Sequence, residues 1–256
     1  MKICIDAGHG AGYNPSPANP AYTEGTRMFI LQGFLKTALE EYGFEVVCTR
    51  QNVEESPSLQ VRGSVAKDCE LLLSLHTNAV GSDISETVDY VCVFYPVSGR
   101  CSDLAQALSE LISNVMGTTQ APQSMSKWNS AHTADYYGVI RHAVNVGADA
   151  LLLEHSFHTN PYITQWLLND DNLRMLADAQ AALIAEYYGM EAPEMRYETL
   201  KDIQNKYYRP TIEKLLEKDI LRGKGGSGEE TILDLGEDAI RILVLLDRAG
   251  VFDNEP

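Results

Sequence analysis

The sequence predicts an α/β fold with a mainly parallel sheet flanked by helices on both faces. Three observations carry that expectation: short apolar runs of strand length recur, longer stretches of helical periodicity separate them, and the runs read as buried. The strand candidates are "KICIDA", "GFEVVCTR", "CELLLSLH", "DYVCVFYP" and "DALLLEHS".

The helices between them have their own signals. "RMFILQGFLKTALEEYG" spaces its apolar residues by three and four and stops at Gly43, while "SDLAQALSELISNVMG" is read as capped by Ser102 and closed at Gly117. Residues 171–188 form a third helix before Gly189. The polar, proline-bearing stretch 189–202 reads as a linker, so the expected domains are 1–189 and 190–256. The second carries two helical stretches, "YYRPTIEKLLEKDIL" and "GEDAIRILVLLDRAG", around the loop "GKGGSGEE", and is expected to be a small helical module. Its core, from about 55 residues, is marginal and needs a neighbour or partner.

The totals exclude several classes. A chain of 256 residues with net charge −16 and no basic stretch offers phosphates no face, so nucleic acid is a poor partner. The five cysteines, Cys4, Cys48, Cys69, Cys92 and Cys101, form no C-x-x-C pair and read as reduced core residues from a cytosol-like compartment. Neither a signal peptide nor a membrane-spanning run is apparent, so synthesis in the cytoplasm, no membrane partner and another route to any extracellular substrate are expected.

In an open α/β sheet, ligands gather at the carboxyl ends of strands. Three strands deliver ionisable residues there: His9 after "KICIDA", His76 at the end of "LLLSLH", and Glu154 after "LLL". Two histidines suggest zinc, which in catalytic sites takes three protein ligands and leaves a position open. Glu24, at the start of the first helix, is the best third ligand, and Glu154 then serves as the carboxylate that takes a proton from water and returns it to a leaving nitrogen. The site reads as that of a zinc hydrolase of amide bonds.

Each residue also has a plainer reading. A single strand-end histidine is more often a hydrogen-bonded core or surface residue, and Glu24 is also the acid a helix dipole favours in its first turn. His132, His142, His155 and His158 compete as ligands, although alternation puts His155 on the face opposite Glu154. A dinucleotide fingerprint opening at Gly8 fails, because Tyr13 stands where its last glycine belongs. Cys4 as a nucleophile lacks a base placed by sequence.

Together, "IDAGHG", the acid in "TEG", "LxxR" at Leu59 to Arg62, "SLHTNA" and "LLLEHSFHTNP" resemble, in order, the zinc-dependent N-acetylmuramoyl-L-alanine amidases of the Amidase_3 type, over residues 1–189. The resemblance implies a phosphorylase/hydrolase-like fold, one zinc ion, and cleavage of the amide between the lactyl group of muramic acid and L-alanine in peptidoglycan. It matches His9, Glu24 and His76 to the metal ligands and Glu154 to the catalytic glutamate of an E-x-x-F-x-x-N pattern with Phe157 and Asn160. Arg62, Asn78 and Asn160 match positions that support the site or its substrate. Ala11 replaces a usual glycine, "SETVDYVCVFYP" replaces a usual G-x-E stretch, and His155 and His158 are unusual neighbours expected to pack or hydrogen-bond.

The tail is faintly similar to one surface-layer-homology repeat, which implies attachment to a cell-wall polymer, with self-association through "AIRILVLLDRAG" as the alternative. The expected setting is a phage or prophage endolysin acting on the wall after release. The rivals are a host autolysin or sporulation amidase, a zinc carboxypeptidase on the stem peptide, and a non-catalytic wall-binding protein.

Overall fold

The computed structural model describes residues 1–191, 196–204 and 208–252. The chain divides into two compact units, Met1–Ala192 and Pro193–Pro256.

The first unit runs β1 (Lys2–Ala7), α1 (Glu24–Glu41), β2 (Glu45–Cys48), α2 (Leu59–Val65), β3 (Leu71–Asn78), β4 (Cys92–Phe94), α3 (Ser102–Met116), β5 (Gln123–Met125), α4 (Gly138–Asn145), β6 (Asp149–Phe157), α5 (Pro161–Leu167) and α6 (Asp170–Tyr187). Its sheet has the order β2-β1-β3-β6-β4-β5. The β2, β1, β3 and β6 strands are parallel, β4 runs antiparallel to β6, and β5 is parallel to β4.

Alternation along these strands builds two cores. Ile3, Ile5, Leu71, Leu73, Leu75, Leu151 and Leu153 face the layer of α1, α3 and α6, whereas Cys4, Leu72, Ala150 and Leu152 face α4 with Val139, Ile140 and Ala143. Both faces of β3 are therefore dry, which explains its unbroken "LLL". Each fully buried leucine contributes about 1.5–3 kcal/mol to this arrangement. Following the second face to the carboxyl edge leads from Cys4 to Asp6, from Leu72 to Ser74 and His76, and from Leu152 to Glu154. Strand geometry alone gathers these polar residues.

Short elements escaped the sequence reading. The α2, α4 and α5 helices have seven or eight residues, too few for a clear period, and β5 is the polar tripeptide "QSM". Ser102 is the first helical residue of α3 and not its cap; Cys101 holds that place in a left-handed conformation without a side-chain bond. Gly117 closes the helix with φ +66°, as its position implied.

The second unit corrects the expectation of a purely helical module. Beside α7 (Arg209–Glu217) and α8 (Glu237–Arg248) it has an antiparallel pair, β7 (Arg196–Thr199) with β8 (Ile232–Gly236). The β7 strand falls inside the stretch read as a linker, and residues 192–195 of that stretch lie outside the described residues. Strands this short and polar leave too little pattern to compete with the flanking helices. Leu200, Ile203, Ile212, Leu215, Leu233, Ile240 and Val244 make a small core of its own. Among the described residues no helix is long and apolar enough to cross a membrane, and all five cysteines are free.

Candidate metal and catalytic site

The site forms where the chain leaves β1. Gly8 has no side chain because the His76 ring occupies the place a Cβ would take, and Gly25 is bare where the carbonyl of Gly10 crosses α1. His9 follows in the left-handed region at φ +59°, a conformation that persists because its surroundings hold it. Arg62, 3% exposed, donates through Nη1 to the carbonyl of Ala7 at 2.6 Å and through Nη2 to the carbonyl of His9 at 2.5 Å. Its Nη1 also lies 2.7 Å from Oδ1 of Asp6; that oxygen accepts from the Thr49 hydroxyl as well, and Oδ2 accepts from the Ser74 hydroxyl. Arg50, equally buried, donates to the carbonyls of Gly25 at 2.8 Å and Gly8 at 3.2 Å. Two arginines thus clamp the loop by its backbone.

Glu24 is the first residue of α1, and the 12–22 loop that precedes it folds back through a bridge between Pro15 and Thr23. Its Oε1 lies 2.9 Å from Nδ1 of His76, 3.4 Å from Nε2 of His9, and accepts from the Thr77 amide at 3.0 Å; its Oε2 accepts from Asn14 Nδ2 at 2.7 Å. Burial would raise this carboxyl, but the hydrogen bonds to His76 and His9 prevail and hold it well below the usual carboxylate range. The same pairing outweighs burial at His76 and raises it to about 9.

Among the described residues, one group can hold a metal: His9, Glu24 and His76, with one donor atom from each lying within 4.8 Å of the others. Zinc bonds of about 2.0–2.2 Å at tetrahedral angles place ligand atoms about 3.3–3.6 Å apart. The 3.4 Å separation falls within that range, the 2.9 Å one is the shorter contact of a hydrogen bond, and two imidazoles with one carboxylate is a donor set zinc accepts.

Glu154 stands opposite His76 in the register of β6 on β3 and lines the same cavity of about 390 Å³. Burial, eased by the nearby His76 charge and reinforced by Glu24, raises it to about 7. Its Oε2 is buried without a hydrogen-bond partner among the described residues. A buried carboxylate oxygen left unpaired is costly, and the residue that carries this one lines a cavity. Cys4 has no such role, since burial within β1 pushes its thiol up and leaves it unreactive.

A family model for N-acetylmuramoyl-L-alanine amidases, Amidase_3, matches residues 3–186. The chain belongs to the Amidase_3 family. No curated protein sequence matches it. Among solved structures, the catalytic domain of CwlV, an N-acetylmuramoyl-L-alanine amidase from Bacillus (Paenibacillus) polymyxa var. colistinus, is similar with TM-score 0.61 at 22% identity, over 75% of this chain and 99% of that one. An N-acetylmuramoyl-L-alanine amidase from Clostridium difficile 630 gives TM-score 0.63 at 20% identity, over 75% and 98%. One from Nostoc punctiforme gives 0.58 at 21%, over 74% and 97%. At these identities the likeness is one of fold, and the Amidase_3 architecture is what the first unit shares with them.

Within this Amidase_3 unit the remaining expected residues fall in different places. Arg62 braces the His9 loop, and Asn160 caps α5, accepting from the amides of Tyr162 and Ile163. Asn78 lines the cavity, with its Oδ1 turned to the Ala79 amide. His155 lies on the opposite face, fully buried, its Nδ1 at 3.0 Å from the carbonyl of His76 and its Nε2 at 3.2 Å from Gln180 Nε2. His132 and His142 are not in the ligand group. Sequence reasoning missed Asp6, Asn14, Arg50 and the cavity position of His158. For Asp6, an acid inside an otherwise apolar strand was the available signal.

Proposed function

We propose that the first unit is a zinc-dependent N-acetylmuramoyl-L-alanine amidase acting on peptidoglycan, with His9, Glu24 and His76 as ligands and Glu154 as the proton carrier. One observation carries this reading: three donor atoms converge beside a cavity that is also lined by Glu154, one of whose carboxylate oxygens is buried without a partner among the described residues. A zinc ion held there would supply Lewis acidity, polarising a carbonyl and acidifying water. Glu154 needs no rearrangement to act. Its carboxyl, raised to about 7, exchanges a proton near neutral pH, accepting one from water and delivering it to the departing L-alanine nitrogen. Glu24 stays ionised throughout, because its hydrogen bonds favour the charged form. Arg62 and Arg50 keep the His9 loop in place while substrate enters.

The test is zinc content and wall digestion for the intact protein and Glu154→Gln. We expect one zinc per chain in both, new L-alanine amino termini from the wild type, and a loss of about 10²–10⁴-fold in the variant. Full activity of the variant removes Glu154 from its role, and free D-alanine as the product marks a carboxypeptidase instead. The endolysin setting and a wall-attaching or self-associating role for the second unit belong to the same proposal. Lysis of a host only when a membrane-permeabilising protein is co-expressed supports the former. Weaker binding to purified walls after replacement of the exposed Ile242 and Leu245 on α8 supports the latter.

A further inference from the structure

Asn14 belongs to the 12–22 loop, has φ +53° in the left-handed region, and lines the same cavity as Glu154. It reaches Glu24 twice. Its carbonyl accepts from the Glu24 amide at 3.1 Å, and its Nδ2 donates to Oε2 of Glu24 at 2.7 Å. That nitrogen also lies 3.1 Å from Nε2 of His9, so one side-chain amide touches two members of the ligand group. Two residues on, the loop is pinned: Ser16 is buried, and its hydroxyl lies 2.9 Å from that of Thr164 on α5.

The amide can face Glu24 in one way only. Carboxylate oxygens accept and do not donate, so the amide nitrogen and not its oxygen must point at Oε2. The two oxygens of Glu24 are thereby divided. Oε1 lies 2.9 Å from His76 Nδ1 and 3.4 Å from His9 Nε2, and the Thr77 amide donates to it at 3.0 Å; among the described residues Oε2 accepts from Asn14 alone. A carboxylate with both oxygens free can close on a metal ion with both, whereas one whose second oxygen is held elsewhere offers the first. Asparagine suits the place on two counts, since it tolerates a left-handed backbone better than most residues and its amide supplies the donor.

We infer that Asn14 is a positioning residue of the metal site: by holding Oε2 it makes Glu24 a ligand through Oε1 alone and keeps a coordination position open. The inference rests on the zinc reading above and adds to it a group from outside the ligand and base set.

Glycine and alanine separate the amide from the backbone. Glycine takes the left-handed conformation without strain and alanine does not, and both remove the amide. We expect Asn14→Gly to fold as the wild type does and to bind zinc about 10–100-fold more weakly in competition with a chelator. Cobalt(II) in place of zinc has visible absorption bands that weaken as its coordination number rises, so both variants should show weaker bands than the wild type once Oε2 is released to the metal. Bands of wild-type strength overturn the inference even if affinity falls, because a looser loop lowers affinity without changing the ligand set. Wild-type affinity in Asn14→Gly beside a loss in Asn14→Ala also overturns it, since the backbone would then be what matters. His76→Ala, measured alongside, reports on the zinc reading itself. Metal uptake by the wild type that His76→Ala loses upholds that reading; no uptake by the wild type, or equal uptake by His76→Ala, brings down the reading and this inference with it.

Discussion

Oε1 of Glu24 lies 2.9 Å from Nδ1 of His76, joining the first residue of a helix to a strand end 52 positions further along the chain. The pair makes each partner's charged form favourable, and it is already assembled in the protein chain alone. Ligands held in place beforehand bind a metal without first ordering a loop.

Glu24→Gln keeps the shape of this pair and removes its charge. Zinc affinity should fall by more than the about 10- to 100-fold that loss of an outer partner costs, measured by competition with a chelator. In metal-free protein His76 should drop from about 9 to below its ordinary value, because burial then acts without the carboxylate. A His76 titration that does not move would show that Glu24 is not its main partner.

The buried pair of Arg62 and Asp6, 2.7 Å apart, supports the loop that carries His9. Arg62→Met should destabilise by about 3–5 kcal/mol, since Asp6 keeps only hydroxyl partners and its charge stays buried. Adding Asp6→Asn should recover much of that loss. Urea unfolding of the two variants checks it; equal losses would mean that the arginine acts through its carbonyl contacts only.

Ser156 is the extra residue of a bulge in β6, with His76 opposite Glu154 and Asn78 opposite Phe157. It has φ +62°, and its hydroxyl is buried without a partner among the described residues. Ser156→Gly relieves both, against a smaller loss from the freer unfolded chain, for a net gain of about 1 kcal/mol. The unfolding midpoint should rise by about 2–4 °C in calorimetry. A fall would assign the hydroxyl a role of its own.

His155 should make the fold sensitive to mild acid. Burial lowers its pKa to about 4, against about 6.5 in the unfolded chain, so the unfolded state binds the extra proton between those values. Its contribution is complete above pH 6.5 and declines as pH falls toward 4, by up to about 3 kcal/mol. In His155→Gln, the stability difference between pH 7.5 and pH 5 should shrink by about 2 kcal/mol in denaturant titrations of metal-free protein. The same pH dependence in both proteins would point to other groups.

Much of the site was legible because strand ends are marked locally: an apolar run that stops at a histidine or glutamate announces its own edge, as at His76 and Glu154. Glu24 was legible as the acid at a helix start. His158 was not, because it lies just beyond the strand, where no period applies. That strand ends at Phe157, so His158 has no place in the alternation, and the turn that follows sets its ring against Thr77 and Tyr22.

The division follows from the range of the forces involved. Local periodicity determined the parallel sheet, the buried strands and the edge at which chemistry collects, since burial of both strand faces demands continuous apolar runs. Tertiary structure alone decided that Arg50 and Arg62 clamp the His9 loop, that the 12–22 loop returns Glu24 to His76, and that "RYET" pairs with "ILDLG". Those bonds join residues far apart in the chain, and hydrogen bonds and ion pairs of that kind leave no period in the sequence.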